Sequence, residues 1–240
     1  MKKDKLFKKK EQSVQDFNFG KETSEVFDDM LQRSVPFYSE MQRMMGEIAS
    51  DFAVEGTHLY DLGCSTGNTL LMLDPLVPKE VRFVGVDYSP EMLARAREKL
   101  KNRLTRDYEL LCADLNRGVQ ITNASLVVMS LTLQFIRPLY RHQLMSSIAN
   151  GMNKQGCLIL IEKVLSKDSL LNRLFINYYY AFKERQGYSK TEIAKKREAL
   201  ENVLMPYRLE ENMELLLSSG FSQCDVFFKW YNFCGLVAFK

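Results

Sequence analysis

Three observations predict an open, mostly parallel α/β sheet. From residue 58 onward, short apolar runs that stop at turns alternate with helical segments. Helices between successive runs imply right-handed crossovers and therefore parallel neighbours. Two closely spaced apolar runs end the chain with no helix between them, which reads as an antiparallel hairpin at the sheet edge. Seven strands are expected in all, with a helical insertion at about 165–205 between sheet strands.

The elements follow from residue patterns. Residues 23–53 are helical, with Val26, Phe27, Met30 and Leu31 at spacings of three and four, and Pro36 divides them into two amphipathic stretches. Strand 58–62 breaks at Gly63, and a short helix spans 68–76. Strand 81–86 ends at Asp87, where Ser89-Pro90-Glu91 opens the helix 91–100. Strand 108–112 ends before Asp114. The run 125–131 is apolar enough for burial on both faces. Helix 141–152, strand 157–161, helix 209–218 and strands 225–230 and 233–238 complete the sheet.

The 240 residues, 46% of them hydrophobic, suffice for one large domain with a sizeable core, expected over 16–240. Residues 1–15 are expected to be a flexible basic tail, because six lysines fall between Met1 and Lys10 and no apolar stretch follows. With 33 Lys+Arg against 30 Asp+Glu, the net charge of +3 is no footprint of a groove-reading nucleic-acid binder. Five cysteines without CxxC spacing and two distant histidines, His58 and His142, give no support for a metal site, and none is expected. No apolar run approaches the roughly 18 residues of a membrane span. The expectation is a soluble, cytoplasmic chain with free thiols.

Open α/β sheets bind ligands beyond the carboxyl ends of their strands, and four such ends carry pointed chemistry. Tyr60-Asp61-Leu62-Gly63-Cys64-Ser65-Thr66-Gly67-Asn68 is a glycine turn entering a helix. Asp87, twenty residues after Gly67, suits a ribose diol, and Asp114 suits an adenine amino group. Ser130 closes the pocket from below. The turn lacks the third glycine of a pyrophosphate-binding GxGxxG loop, so a ligand without phosphate fits better. With the terminal hairpin, this arrangement resembles the Rossmann-like class I S-adenosylmethionine-dependent methyltransferase fold over about 55–163 and 209–240.

Flanking segments narrow the resemblance. Val26-Phe27-Asp28-Asp29-Met30-Leu31-Gln32-Arg33-Ser34-Val35-Pro36-Phe37-Tyr38, Gly187-Tyr188-Ser189, Lys196-Arg197-Glu198-Ala199-Leu200-Glu201-Asn202-Val203 and Trp230-Tyr231-Asn232-Phe233-Cys234-Gly235-Leu236-Val237-Ala238, together with Asp61-Leu62-Gly63-Cys64-Ser65 and Thr132-Leu133-Gln134-Phe135, resemble the carboxy-S-adenosylmethionine synthase family. The likeness runs from about residue 16 to 240. It implies conversion of S-adenosylmethionine and prephenate to carboxy-S-adenosylmethionine and phenylpyruvate, supplying a donor for tRNA wobble-uridine modification, without metal and without direct tRNA binding, by a homodimer. In that chemistry a sulfonium acidifies its methyl group, the resulting ylide captures the carbon dioxide lost by prephenate, and the substrate itself takes the proton.

Residue by residue, the resemblance assigns Arg197 to the new carboxylate, which a guanidinium grips bidentately. A surface ion pair with Glu198 or Glu201 is the competing role for it. Tyr38, Gly63, Cys64, Ser65, Asp87, Tyr88, Asp114 and Leu115 become nucleoside and amino-acid contacts. Ser130 joins them where the family usually has Asn, a shorter group with one hydroxyl in place of an amide. Arg33 and the basic groups at 183–197 are candidates for holding prephenate. Tyr178-Tyr179-Tyr180 is open between substrate contact and packing or a subunit interface. The alternatives are an ordinary methyltransferase acting on a small molecule or tRNA, and a catalytically silent binding subunit.

Overall fold

The computed structural model describes residues 2–8 and 15–240. Strands β1 (His58–Leu62), β2 (Arg82–Asp87), β3 (Tyr108–Cys112), β4 (Ala124–Ser130) and β5 (Met152–Leu165) run parallel in the order β3-β2-β1-β4-β5. The two-residue β6 (Tyr207–Arg208) pairs with the end of β5, an addition the sequence reading lacks. β7 (Gln223–Trp230) and β8 (Phe233–Phe239) form the expected antiparallel hairpin, and β8 lies against β5, leaving β7 at the edge.

Helices cover both faces. The α2 helix (Tyr38–Phe52) brings Met41, Met45 and Ala49 against Leu59, Phe83, Val128 and Ile159. On the other face, α5 (Pro138–Gly151) and α8 (Leu209–Ser218) pack Leu144, Ile148 and Leu216 on Tyr60, Val84, Val127 and Leu158. β4 is buried on both faces, as its apolar run requires. Upstream of α2, α1 (Lys21–Ser34) ends before Pro36, and Phe37 takes a left-handed φ of 52° to redirect the chain. Between them in the sheet order, α3 (Asn68–Leu73) and α4 (Pro90–Leu100) follow β1 and β2, and Ser89 caps α4 by accepting the Met92 N–H at 3.1 Å. The insertion forms α6 (Ser169–Arg185) and α7 (Lys190–Leu200), the latter opened by a capping box of Ser189 and Glu192.

Two expectations change. β5 runs well beyond 157–161 because β8 pairs with it as far as Lys163, which faces Phe233. That extension carries Glu162 and Lys163 past the end of β4, where Ser130 pairs with Ile161. The basic tail expected at 1–15 is partly docked: Asp4 is only 3% exposed, and its carboxylate accepts the Tyr188 hydroxyl at 2.6 Å. A buried carboxylate with a hydrogen-bond donor ties this stretch down where its lysines alone would leave it solvated. The remainder of that tail at 9–14 lies outside the described residues.

Away from the strand ends, Arg106 and Asp74 form a buried ion pair at 2.6 Å, and Arg106 also donates to the Pro78 carbonyl at 2.7 Å. Asp74→Ala leaves that guanidinium buried without its carboxylate and should cost about 3–5 kcal/mol. Breaking the exposed Arg82–Glu109 pair with Glu109→Ala should cost under about 1 kcal/mol. Urea unfolding of both variants measures the contrast.

Candidate active site

The strand ends β1, β2, β4 and β5 open into a cavity of about 780 Å³, roofed by α6, α7 and the N-terminal helices. Gly63 and Cys64 donate their N–H groups to the Val86 carbonyl at 2.7 and 3.0 Å, tying the glycine turn to β2. Gly63 sits at φ +85°, and a Cβ there would collide with Thr132, so the turn admits no side chain. Ser65 and Leu131, both non-glycine, also hold positive φ at 48° and 59°. These strained positions line the same cavity.

Asp87 stitches this end together. Its two oxygens accept the Ser65 and Ser89 N–H groups, each at 2.9 Å. Burial pushes its pKa upward and the N–H bonds oppose that. Beneath the turn, Asp61 is 2% exposed, and its Oδ2 has no partner among the described residues. Burial, with Asp87 facing it, pushes Asp61 up to about 8. Asp87 lines the cavity with Asp61 buried behind it, and this negative pair fits a cationic ligand such as a sulfonium amino acid, whose charge would draw both back down. Asp114 caps the turn Leu115–Arg117 by accepting the Asn116 N–H at 2.9 Å. Tyr88 stands half exposed at the rim, edge-on to Phe19 at 6.0 Å. The phenol of Tyr38 is pushed up by burial and by Asp61, and it bonds the Asn68 side chain.

Glu162 orders the loop after β4. It is buried and accepts the N–H groups of Thr132, Leu133 and Gln134 at 3.0, 2.8 and 2.9 Å. Burial pushes it up to about 8 against those three bonds. The loop in turn fills the space that Gly63 leaves open.

The end of β5, α6 and α7 bring basic groups to the cavity, with Glu198 and Glu201 beside them on its lining. Arg197 lies exposed on α7, lines the cavity and makes no ion pair with Glu198 or Glu201 among the described residues. Lys163, Lys183 and Lys196 line it too. All ten residues singled out from sequence, Tyr38, Gly63, Cys64, Ser65, Asp87, Tyr88, Asp114, Leu115, Ser130 and Arg197, line this one cavity. Arg33 does not. It pairs with Asp29 at 3.2 Å, donates to the Gln186 carbonyl at 2.9 Å and covers the Tyr188 ring. The tyrosine triplet divides: Tyr179 and Tyr180 face the cavity, while Tyr178 is exposed beside Tyr231. Sequence reasoning passed over Asp61 and Glu162 as individual groups, and Lys163 altogether. Their one sequence signal is a charged residue closing or interrupting an apolar strand.

A methyltransferase-domain family profile matches residues 59–156. A putative S-adenosylmethionine-dependent methyltransferase from Methanococcus maripaludis superposes with a TM-score of 0.63 at 16% identity, over 96% of this chain and 97% of that one. Human N-acetylserotonin methyltransferase in complex with S-adenosylmethionine gives 0.59 at 16%, over 90% of this chain and 54% of that one. At such identities these likenesses show the fold. Closer relatives exist among curated proteins. The carboxy-S-adenosyl-L-methionine synthase of Methylococcus capsulatus is 55% identical over the full length of both chains. That of Sulfurimonas denitrificans is 45% identical over 93% of this chain and 94% of its own.

Asp87→Ala should weaken S-adenosylmethionine binding by roughly 10- to 100-fold, since a charged hydrogen bond is lost and the Ser65 turn is freed. His142→Ala, outside the cavity, should leave it unchanged; titration calorimetry reads both. A methyltransferase sheet whose cavity is lined by Asp87, Lys163, Lys183, Lys196 and Arg197, with full-length identity of this order, places the chain in the carboxy-S-adenosyl-L-methionine synthase family.

Proposed function

We propose that the chain transfers the carboxyl group lost by prephenate to the methyl carbon of S-adenosylmethionine, releasing carboxy-S-adenosylmethionine and phenylpyruvate. The observation that carries this reading is Arg197, a guanidinium in the cavity with no carboxylate partner among the described residues. An ordinary methyl transfer creates no anion for it to meet. Carboxyl transfer does, because the product bears a carboxylate beside its sulfonium, and a planar fork matches it bidentately.

The other residues divide the work. Asp87 keeps lone pairs for a ribose diol while its N–H bonds hold it in place. Asp114 faces the adenine amine, with Leu115 and Tyr88 against the base. Tyr38, Gly63, Cys64 and Ser65 surround the amino-acid portion, and Ser130 contributes its hydroxyl. S-adenosylmethionine supplies a methyl group acidified by its sulfonium. The balance needs no protein base: prephenate loses its carboxyl to the methyl carbon and its ring hydroxyl leaves with the methyl proton as water, making the ring aromatic. Neither histidine lines the cavity, and His58 bonds the Thr122 carbonyl through Nδ1 at 2.8 Å, at the opposite end of β1.

In this reading the product is the carboxymethyl donor for wobble-uridine modification of tRNA, made by a cytoplasmic homodimer that need not bind tRNA. No helix among the described residues is long and apolar enough to cross a membrane.

Purified protein given S-adenosylmethionine and prephenate should release phenylpyruvate and a carboxylated nucleoside in equal amounts. Arg197→Ala should lower that rate roughly 100-fold while still binding S-adenosylmethionine. Absence of phenylpyruvate from the wild type, or an unchanged rate in the variant, contradicts the proposal.

A further inference from the structure

Three lysine amino groups from three elements converge on the Tyr179 and Tyr188 rings. Lys163 extends from β5, two residues beyond the Ile161 that pairs with Ser130. Its Nζ lies 4.6 Å from the centre of the Tyr179 ring. Lys183 on α6 lies 5.4 Å from the same ring and 5.7 Å from that of Tyr188. Lys196 on α7 lies 5.9 Å from the Tyr188 ring and 3.4 Å from the Ser34 hydroxyl. Lys183 is 4% exposed and Lys196 8%.

No ion pair neutralises them among the described residues. The carboxylate that faces Lys183 and Lys196 is Asp4, and its two oxygens are engaged by the Tyr188 hydroxyl and the Leu6 N–H. Asp29, the nearby acid, is paired with Arg33. Burial pushes Lys163 and Lys196 down to about 8, with Lys196 acting on the former and Arg33 on the latter. Lys183, facing both other lysines, is pushed down to about 6. One occupied carboxylate against three buried lysine amino groups, one of them pushed low enough to lose its proton near neutral pH, is a poor arrangement for folding alone, where apolar residues of similar volume would serve as well or better.

An anionic ligand accounts for it. An anion seated among them favours the charged form of each lysine, and an ammonium donates without accepting, so the cluster suits oxygens with lone pairs, while the aromatic walls suit an apolar body attached to them. Lys196, buried, and Arg197, exposed, are consecutive on α7 and both line the cavity, so one helix presents two separate anion-receiving groups to it. Resting on the function proposed above, we infer that Lys163, Lys183 and Lys196 seat the carboxylate that prephenate keeps, the 2-oxo-acid end, and leave its other carboxyl free to pass toward Arg197. The arrangement separates the two carboxylates of one substrate by assigning each its own cations.

Lys183→Met and Lys196→Met test this, with Lys163→Met in reserve should either fail to fold. Each should raise the KM for prephenate roughly 10-fold or more, leave the Kd for S-adenosylmethionine unchanged, and leave Tm unchanged or higher. A role confined to packing would lower Tm and leave KM alone. Unchanged KM in the folded variants overturns the inference. Phenylpyruvate, which retains only the 2-oxo-acid carboxylate, provides a separate readout by calorimetry on protein loaded with S-adenosylmethionine. Should the wild type form no carboxylated product, the proposed reaction fails, yet binding of phenylpyruvate that is lost in Lys183→Met still supports the carboxylate seat. Wild-type protein that binds neither phenylpyruvate nor prephenate overturns it.

Discussion

The constraint on which this structure turns is the separation of charge across one cavity. Asp61 and Asp87 lie buried at the ends of β1 and β2, and burial pushes both carboxyls above their ordinary range. Lys163 at the end of β5, Lys183 on α6 and Lys196 on α7 line the same cavity, pushed below theirs. Neither set neutralises the other, and each carries a desolvation cost that a ligand of opposite sign relieves. In the proposed reading a sulfonium amino acid answers the first set, and the carboxylate that the second substrate keeps answers the second.

Holding such groups apart requires rigid backbone between them. Asp87 fastens the glycine turn to the start of α4, and Glu162 fastens the loop after β4 through three N–H groups. The loop then occupies the space above Gly63. Strand β8 supports this by pairing with β5 as far as Lys163, so the terminal hairpin does more than close a sheet edge. It extends β5 and thereby places Glu162 and Lys163 at the cavity.

How much was legible beforehand follows from the same residues. The strand ends at Gly63, Asp87 and Asp114 announced themselves locally, because turns and carboxylates after apolar runs need no tertiary information. Helix 209–218 and the final hairpin were equally local, and their bounds agree with α8, β7 and β8 to within two residues. β5 was truncated in the reading because Glu162 and Lys163 look like the close of an apolar strand, whereas pairing with β8 overrides that polarity. Lys183 and Lys196 fall in the basic stretch 183–197 that the sequence offers for prephenate, but Lys163 and the cluster that the three form are not legible there. Its members sit on a strand and two helices, each in a stretch where lysine ordinarily marks solvent, and only the folded chain brings them to two tyrosine rings. Arg197 was legible through family resemblance alone, since nothing in its local pattern distinguishes it from a surface arginine. Asp4 is masked by a run of lysines, and only the fold shows Tyr188 donating to its carboxylate and Arg33 to its backbone carbonyl.

The central claim is that the basic end of the cavity serves a carboxylated nucleoside. Mass spectrometry of the nucleoside extracted from freshly purified protein tests it most directly. The account predicts the mass of S-adenosylmethionine plus one carbon dioxide. Recovery of only unmodified S-adenosylmethionine or its homocysteine product would contradict it.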